Sequence, residues 1–552
     1  MLAGDGVPLT SAQSGIWFAQ QLDASNPIYN AGEYLEIHGS VDVAVFEAAL
    51  RQVVAEAENL RVTFVETPEG PRQYVHPDPE WQLRIIDVSH EADPRAAAEA
   101  WMRADLTQPQ DPSVGPLFLF VLFRAADDRW FWLHRYHHLL VDGFTVALVA
   151  QRVAEVYTVL LDGGTSDNPF GALDSLVGMD TAYRSSDAFD ADRAWWAEKL
   201  AGRPEPVSLS AKEPTAARGL LRRTEYLDAG ATERLRDAAR DAGVPWPCMM
   251  TTAVSVYLHR LTGAEEIVLG LPVTTRLGKA ARGVPGMVSN VLPLRIPVGP
   301  ADTLPRLLAQ VSREMRGAMK HQRYRYEDLR RDLQLLGNDE RLTGPQVNIM
   351  MFDYALTFGE HRATVHNLCI GPADDLSVIV YDRTDGQGLQ IDFDANPELY
   401  SECELASHLR RFVEFLAELA DAPADRGIGA LDVATTAERD VVLAAGAGAV
   451  VDRAGTDGPS LAELFEDRAA GTPDATALLC NDRTVSYREL NASANRLARR
   501  LVATGAGPGR FVGLALPRSV ELVTALLAVI KSGAAYVPMD PDYPADRLAH
   551  MV

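Results

Sequence analysis

The sequence predicts an α/β protein that is divided into several folding units. At 552 residues the chain is too long for one hydrophobic core, and its 47% hydrophobic and 23% charged residues are typical of a globular protein. Apolar runs of strand length, such as FLFVLF at 118–123, alternate with segments whose apolar residues recur at helical spacing, such as 144–161. This alternation indicates the α/β class.

The first α/β region begins close to the N-terminus. Asp42 is a suitable N-cap residue for a helix, because its side chain can accept hydrogen bonds from the first turn. The apolar residues of this helix recur at helical spacing: Val43, Phe46, Leu50, Val53 and Val54. A short strand is expected at 61–65. Further along, the strand-like segment 130–138 leads into the helical segment 144–161, so residues 137–143 lie between a strand and a helix.

Composition divides the rest of the chain. The Gly- and Ser-rich stretch 162–187 is interpreted as a crossover between two lobes, and the Ala- and Gly-rich stretch 436–458 as a linker. Segments of helix or strand pattern fill the second lobe: 190–200, 265–273, 288–298 and 404–420. The predicted parts of the chain are an N-terminal lobe, a C-terminal lobe, the linker and a further α/β fragment: 1–175, 176–435, 436–458 and 459–552.

Composition also argues against several classes of function. The net charge is −24 and Lys and Arg do not cluster, whereas nucleic acids and anionic membranes attract a basic surface. The four cysteines show neither CxxC nor metal-ligand spacing, which predicts free thiols, a reducing compartment and no bound metal. The N-terminus lacks the pattern of a signal peptide, and no apolar stretch approaches the roughly 20 residues of a membrane span. We therefore expect a cytoplasmic protein with no nucleic-acid or membrane partner.

The most informative segment is HHLLVDG at 137–143. Neighbouring strand residues point to opposite faces, so only one of the two histidines can face a given cavity. Asp142 can turn back from the loop to brace the site, and Gly143 relieves the backbone where the helix starts. A lone histidine on a strand is more often a packed core residue, but HHxxxDG is rare by chance in a chain with only 12 His.

No nucleophile motif accompanies these histidines. The sequence contains no GxSxG, no HExxH, no Walker loop and no GxGxxG following a strand. A channel histidine without a nucleophile suggests direct transfer between two bound substrates, as in the acyltransferases that depend on coenzyme A or on carrier proteins.

The chain resembles the condensation domains of nonribosomal peptide synthetases, through six motifs in order. They are PLTSAQSGIWFAQQL (8–22), ENLRVTF (58–64), HHLLVDGFT (137–145), LPVTTR (271–276), GMVSNVLPLR (286–295) and HQRYRYEDLRRDL (321–333). Two positions depart from the family pattern: Ala57 stands where His is usual, and Thr145 stands where Ser is commoner.

This resemblance implies two lobes, each like chloramphenicol acetyltransferase, in a V-shaped pseudo-dimer. A channel between them receives phosphopantetheine arms from a donor and an acceptor carrier protein, so the chain itself binds no cofactor. VSYREL (485–490) and IKSGAAYVPMDPDYPADRL (530–548) resemble the start of an adenylation domain. The phosphate loop of that family would follow later, so this truncated fragment is expected to be inactive, and ATP and Mg²⁺ would serve only a complete adenylation domain.

The resemblance also implies roles for the motif residues. His138 faces the channel and either accepts the proton of the acceptor amine or orients that amine. His137 packs inward. Asp142 is a structural brace that pairs with Arg276, and the backbone N–H of Gly143 is a candidate donor to the developing oxyanion.

One residue keeps two interpretations. Asn348, in the strand-like segment 345–354, either lines the channel or occupies an ordinary sheet position.

Other functions share some of these features. Epimerisation domains carry HHxxxDG but usually follow a carrier domain, whereas an adenylation start follows here. Cyclisation domains replace the histidines with aspartates, and relatives that only recruit partners lose the second His or the Gly. An amino-acid-activating ligase is the remaining alternative.

The partners follow from the condensation hypothesis. The first motif begins at Pro8, which leaves no room upstream for a fused donor carrier if Met1 is the natural start. In that case the donor arrives on a separate protein. We also expect the chain to be a monomer. The donor stays open between an aryl acid, a fatty acyl group and a peptide.

Overall fold

The computed structural model describes residues 6–213, 216–335, 340–350, 356–382, 388–448 and 458–552. The chain forms two compact units, Met1–Val441 and Val442–Val552. Both contain helices and strands, so the predicted α/β class is confirmed.

The larger unit alternates between strands and helices as the sequence predicts. Its first half contains β1 (Val7–Pro8), α1 (Ser11–Leu22), β2 (Asn30–His38), α2 (Val43–Glu56), β3 (Val62–Val65), β4 (Arg72–Val75), β5 (Arg84–Asp87), α3 (Pro94–Leu106), β6 (Phe118–Ala126), β7 (Arg129–His137) and α4 (Gly143–Leu161). Asp42 caps α2 as expected, because its Oδ1 accepts hydrogen bonds from Ala44 N at 3.0 Å and Val45 N at 3.1 Å.

The second half continues the alternation. It contains α5 (Asp174–Arg184), α6 (Asp187–Lys199), β8 (Leu221–Leu227), α7 (Ala229–Asp241), α8 (Pro247–Thr262), β9 (Glu266–Val273), α9 (Gly278–Arg282), β10 (Asn290–Pro297), α10 (Leu304–Lys320), α11 (Tyr326–Asp332), β11 (Gln346–Met350), β12 (Thr357–Phe358), β13 (His361–Cys369), β14 (Leu376–Asp382), β15 (Leu389–Ala395), α12 (Glu402–Asp421) and α13 (Thr436–Gly446).

These strands form two six-stranded sheets and one small sheet. The first sheet has the order β12–β13–β2–β7–β6–β5, the second has the order β10–β9–β11–β14–β15–β8, and β1, β4 and β3 form the small one. The sequence boundaries assign β12 and β13 to the C-terminal lobe at 176–435, yet β13 pairs antiparallel with β2 in the first sheet. Local sequence patterns do not reveal this assignment, because the partner strand lies far away in the chain.

The first sheet is covered by helices on both faces. Phe46 of α2 packs edge-on against Trp132 of β7 and against Tyr157 of α4, with ring centroids 5.4 and 5.7 Å apart. On the opposite face, Trp101 of α3 contacts Phe123 of β6 at 5.5 Å. Burying such large side chains stabilises the fold by about 1.5–3 kcal/mol each. Strand β7 is therefore held firmly, and its end carries the histidine pair.

The second sheet packs mainly against α8, α10 and α12. Met249 and Met250 of α8, Leu307 of α10 and Phe412 of α12 are all buried in the same core as the inward side of β9 and β10. Each of the two large sheets is thus anchored in its own hydrophobic core.

Helix α4 corrects one expectation. With 19 residues and a mean hydropathy of 1.5, it is long and apolar enough to span a membrane, and it is the one such helix among the described residues. The expectation that no apolar stretch approaches the length of a membrane span is therefore wrong for this helix. The buried side chains of α4 belong to the hydrophobic core of the first sheet, and they include Val149, Val153 and Tyr157. Protein therefore surrounds much of the helix.

The predicted linker at 436–458 begins with helix α13, none of whose described side chains is buried. Arg411 of α12 holds its start through a hydrogen bond of 2.7 Å from Nε to Glu438 Oε1. Residues 449–457 of the linker prediction lie outside the described residues. The linker assignment itself stays a prediction.

The smaller unit is also α/β. It contains α14 (Leu461–Gly471), β16 (Thr476–Cys480), β17 (Arg483–Ser486), α15 (Tyr487–Ala503), β18 (Phe511–Leu514), α16 (Val520–Lys531), β19 (Ala535–Pro538) and α17 (Ala545–Met551). Ser486 and Glu489 form a capping box at the start of α15. Strands β18 and β19 pair in parallel, as strands joined by a crossover helix do.

Candidate active site

The HHLLVDG segment forms the predicted strand–loop–helix connection. Strand β7 ends at His137, and α4 begins at Gly143 after the N-cap residue Asp142. Backbone hydrogen bonds fix the start of the loop: His137 N donates to Leu117 O and His138 N donates to Tyr29 O, both at 2.8 Å. The site thus starts from the centre of the first sheet, where β7 pairs with β2 and β6.

His137 packs inward, as the sequence predicts. Its side chain is 2% exposed, and its Nδ1 accepts a hydrogen bond of 3.1 Å from Leu139 N. The remaining proton therefore lies on Nε2, 3.4 Å from the acceptor Gln20 Oε1. Burial, with a smaller effect of the adjacent His138, lowers the pKa of His137 from 6.5 to about 3. His137 is accordingly neutral at pH 7 and a weak base.

His138 lines the cavity of the larger unit, and the loop fixes one of its two ring nitrogens. Its Nδ1 lies 2.6 Å from Val141 O, and a carbonyl oxygen can only accept, so Nδ1 carries a proton. In the neutral imidazole, Nε2 then has a free lone pair. This tautomer is the one needed to accept a hydrogen bond or a proton from an amine.

Asp142 and Arg276 form a buried ion pair. Arg276 Nη1 donates to Asp142 Oδ2 at 2.5 Å, and Val288 N donates to the same oxygen at 3.2 Å. The other carboxylate oxygen accepts from Thr145 N at 2.9 Å, which caps α4. Every oxygen of this carboxylate is thus used in holding the loop, so the arrangement fits a brace.

Thr145 extends the brace across the unit. Its Oγ1 donates to Gly286 O at 2.8 Å and accepts from Gly286 N at 3.0 Å and from Arg276 Nη2 at 2.8 Å. Arg276 Nη2 also donates to Gly286 O at 2.6 Å, and the guanidinium lies over the Phe144 ring at 4.9 Å. These contacts bind the start of α4 to the second half of the unit.

The loop opens into a cavity of about 910 Å³. This volume is in the range of small-molecule sites, and both halves of the larger unit line it. Of the predicted site residues, the structure brings five to the cavity wall: His138, Asp142, Gly143, Arg276 and Asn348. His137 and Thr145 lie behind that wall.

Asn348 both lies in a sheet and lines the cavity. It belongs to β11, where it pairs in parallel register with Ile379 of β14, and it also lines the cavity. The last residues of the predicted segment, 351–354, lie outside the described residues.

Sequence reasoning missed two residues next to His138. Tyr29 accepts the backbone hydrogen bond of His138, and Gly371 approaches the imidazole from the β13–β14 connection. The first lies in a short turn before β2, and neither belongs to one of the motifs. Within the described residues, no group of three or more His, Cys, Asp or Glu side chains could hold a metal ion.

The two sheets around this cavity have the fold of chloramphenicol-acetyltransferase-like proteins. Residues 4–442 match the family model described as Condensation domain, and residues 465–552 match the model described as AMP-binding enzyme. The chain belongs to the condensation-domain family of nonribosomal peptide synthetases, whose condensation domains catalyse amide-bond formation.

Similar proteins are peptide synthetases. The chain is 48% identical over 545 residues to a dimodular nonribosomal peptide synthase of Bacillus subtilis and 45% identical over 552 residues to an isonitrile lipopeptide synthase of Streptomyces coeruleorubidus. It is 36% identical over 553 residues to enterobactin synthase component F of Escherichia coli. Each match covers 99% of this chain but only 23%, 37% and 42% of the respective relative. The chain thus spans less than half the length of these relatives.

Solved structures agree with this assignment. The starter condensation domain of rhizomide synthetase, as a variant in complex with C8-CoA, matches with 43% identity and a TM-score of 0.73, over 77% of this chain and 97% of that one. The first condensation domain of the calcium-dependent antibiotic synthetase matches with 37% identity and a TM-score of 0.74, over 78% of this chain and 99% of that one.

Proposed function

We propose that this chain joins an acyl group and an amino acid, each held as a thioester on its own carrier protein. The amine nitrogen of the acceptor attacks the carbonyl carbon of the donor thioester. A C–N bond forms, the C–S bond breaks, and the donor thiol leaves with the proton that the amine gives up. The observation that carries the proposal is the cavity-facing imidazole of His138, whose proton is held on Nδ1 by Val141 O at 2.6 Å.

His138 Nε2 accepts a hydrogen bond from the acceptor amine. This contact orients the nitrogen lone pair towards the carbonyl and gives the amine proton an acceptor. Because thioesters are already activated, bringing the two reactants together supplies much of the acceleration.

The neighbouring residues hold His138 in place. Asp142, Arg276 and Thr145 brace the loop through the buried network, and His137 fills the space behind it. Gly143 is the first residue of α4 and lines the cavity, which supports a role for its backbone N–H at the developing oxyanion. Asn348 lines the same cavity from β11.

The partners of this reaction are a donor and an acceptor carrier, each with a phosphopantetheine arm. A cavity lined from both halves of the unit supports two tethered substrates. A related starter condensation domain was solved with C8-CoA, which supports an acyl donor of comparable chemistry. We also propose that the chain acts as a monomer in the cytoplasm. The cytoplasm is supported by the four cysteines, all of which are free, as is usual in a reducing compartment.

A panel of loaded donor carriers tests this proposal. Purified chain is mixed with an aminoacyl acceptor carrier and with aryl, fatty acyl or peptidyl donor carriers, and the amide on the acceptor carrier is measured by mass spectrometry. Amide from at least one donor class supports the proposal. Epimerised donor without amide would contradict it.

A second assay addresses the smaller unit. We expect no ATP–pyrophosphate exchange with any amino acid, since the matched adenylation segment holds only the two early motifs. Exchange activity would show that the chain activates amino acids itself.

A further inference from the structure

The connection between β13 and β14 links the two large sheets next to His138. Strand β13 pairs with β2 in the first sheet, and β14 pairs with β11 and β15 in the second. Residues 370–375 make this crossing, and Gly371 lies against the imidazole.

Gly371 approaches His138 more closely than any residue with a side chain could. An ideal Cβ built on Gly371 would lie 2.7 Å from Cδ2 and 3.0 Å from Nε2 of His138, whereas a real Cβ essentially never comes closer than 3.0 Å to another heavy atom. The φ of Gly371 is +113°, a backbone conformation that residues with a Cβ rarely adopt. Both its conformation and its surroundings therefore require glycine.

The imidazole has little freedom to move away from this contact. The opposite edge of the ring is held by the hydrogen bond of 2.6 Å between Nδ1 and Val141 O. The backbone of the same residue is held as well, because His138 N donates to Tyr29 O at 2.8 Å. A side chain at Gly371 would thus be pushed against a ring that is fixed from the other side.

The crossing segment is fixed as well. Near its start, the Cys369 thiol lies 3.9 Å from Gly371 O. At its end, Asp375 Oδ2 accepts from Arg341 Nη1 at 2.6 Å and Asp375 Oδ1 accepts from Tyr400 OH at 2.7 Å. Asp375 is buried, so these hydrogen bonds are shielded from water.

A side chain at Gly371 would crowd the approach to Nε2. A donor hydrogen-bonded to an acceptor nitrogen lies about 2.7–3.2 Å away, and a Cβ on Gly371 would itself lie 3.0 Å from Nε2, where it would compete with such a donor. We infer that Gly371 is a positioning residue that keeps the space beside Nε2 open, so that the acceptor amine can reach Nε2 of His138. This inference rests on the role of His138 in the proposed function.

A stability cycle tests the contact without any activity assay. Gly371→Ala is made in the wild-type chain and in the His138→Ala chain, and thermal unfolding is followed in all four proteins. Crowding by the ring predicts that Gly371→Ala lowers the melting temperature more when His138 is present than when it is absent. Backbone strain alone would lower it equally in both backgrounds, which would overturn the inference. If Gly371→Ala alone is insoluble, recovery of soluble protein in the double variant has the same meaning.

Chemical access to the ring gives a second measurement. Diethyl pyrocarbonate acylates unprotonated imidazole nitrogens, and peptide mapping by mass spectrometry separates His138 from the other histidines. We expect modification of His138 to be at least about tenfold slower in Gly371→Ala than in wild type, with a similar loss of amide formation. The matched control is Gly70→Ala, because Gly70 has a φ of +102° but nothing within 4 Å of its ideal Cβ.

The outcomes separate the two hypotheses. Wild-type modification of His138 in folded Gly371→Ala overturns the inference, even if His138→Ala is inactive. Wild-type turnover of His138→Ala overturns the proposed function instead. Slow modification together with wild-type amide formation in Gly371→Ala would show that the space is closed but not needed, which also rejects the positioning role.

Discussion

Arg276 Nη1 lies 2.5 Å from Asp142 Oδ2, and the two side chains are only 1% and 2% exposed. The pair joins the loop after β7 to the segment between β9 and β10, that is, the two halves of the larger unit. It therefore holds the cavity wall on which His138 lies. Because both charges are removed from water, each depends on the other for its stability in the folded chain.

Removal of the Asp142 carboxylate is expected to destabilise the fold. In Asp142→Ala the guanidinium of Arg276 stays buried without its partner and α4 loses its N-cap, which typically costs about 3–5 kcal/mol. The measurement is the free energy of unfolding in urea, with Glu521→Ala as the control, since Glu521 pairs with Arg483 on the surface. A soluble Asp142→Ala protein of unchanged stability without activity would indicate a direct chemical role.

Thr145 provides a test of the same network through a neutral group. Thr145→Val keeps the shape but leaves the buried Gly286 N–H and one Arg276 N–H without an acceptor, and each such loss costs about 1–3 kcal/mol. Thr145→Ser retains the hydroxyl and should keep most of the stability. If Val and Ser variants unfold at the same denaturant concentration, the hydroxyl contributes nothing to the brace.

The buried histidines predict a pH dependence of stability. Burial lowers the pKa of both His134 and His137 from 6.5 to about 3. Above about pH 6.5 their contribution is complete. As the pH falls from 6.5 towards 3, the unfolded chain binds protons that the folded chain does not, so the free energy of unfolding decreases. We expect His137→Gln to decrease less steeply than wild type, and the exposed-site variant His90→Gln to follow wild type. Equal slopes in all three would contradict the lowered pKa of His137.

The requirement for two carriers is a further prediction. A carrier tether raises the local concentration of its substrate, so free acyl-CoA and free amino acid should give no detectable amide under conditions in which two loaded carriers do. Product is quantified by mass spectrometry in both reactions. Comparable rates with free substrates at ordinary concentrations would reject the two-carrier hypothesis.

Local patterns predicted the elements around the site well. The alternation along a strand predicted that only one of the two histidines faces the cavity, and the family resemblance assigned that position to His138. The N-cap role of Asp142 at α4 was not predicted. The pairing of Asp142 with Arg276 followed from the family resemblance, and the structure places the two in contact. The alternative positions for Asn348 could not be separated because the channel and the sheet share that strand.

Long-range pairing was not predictable from local patterns. Strand β13 joins the first sheet, and Gly371 meets His138, through contacts between segments that lie far apart in the chain. A single glycine in a loop gives no indication of its φ or of what a side chain would meet there. The expectation that no apolar stretch approaches a membrane span was wrong because a core helix such as α4 can be as long and as apolar as such a span.

The most direct test of the central claim is the rate of amide formation between two loaded carriers by His138→Ala. Loss of Nε2 removes the acceptor for the amine proton, so we expect the rate to fall at least about tenfold. The variant should stay folded, as a thermal unfolding transition would show. His90→Ala, whose side chain is 72% exposed in wild type, should retain the wild-type rate. Wild-type turnover by folded His138→Ala would contradict the account.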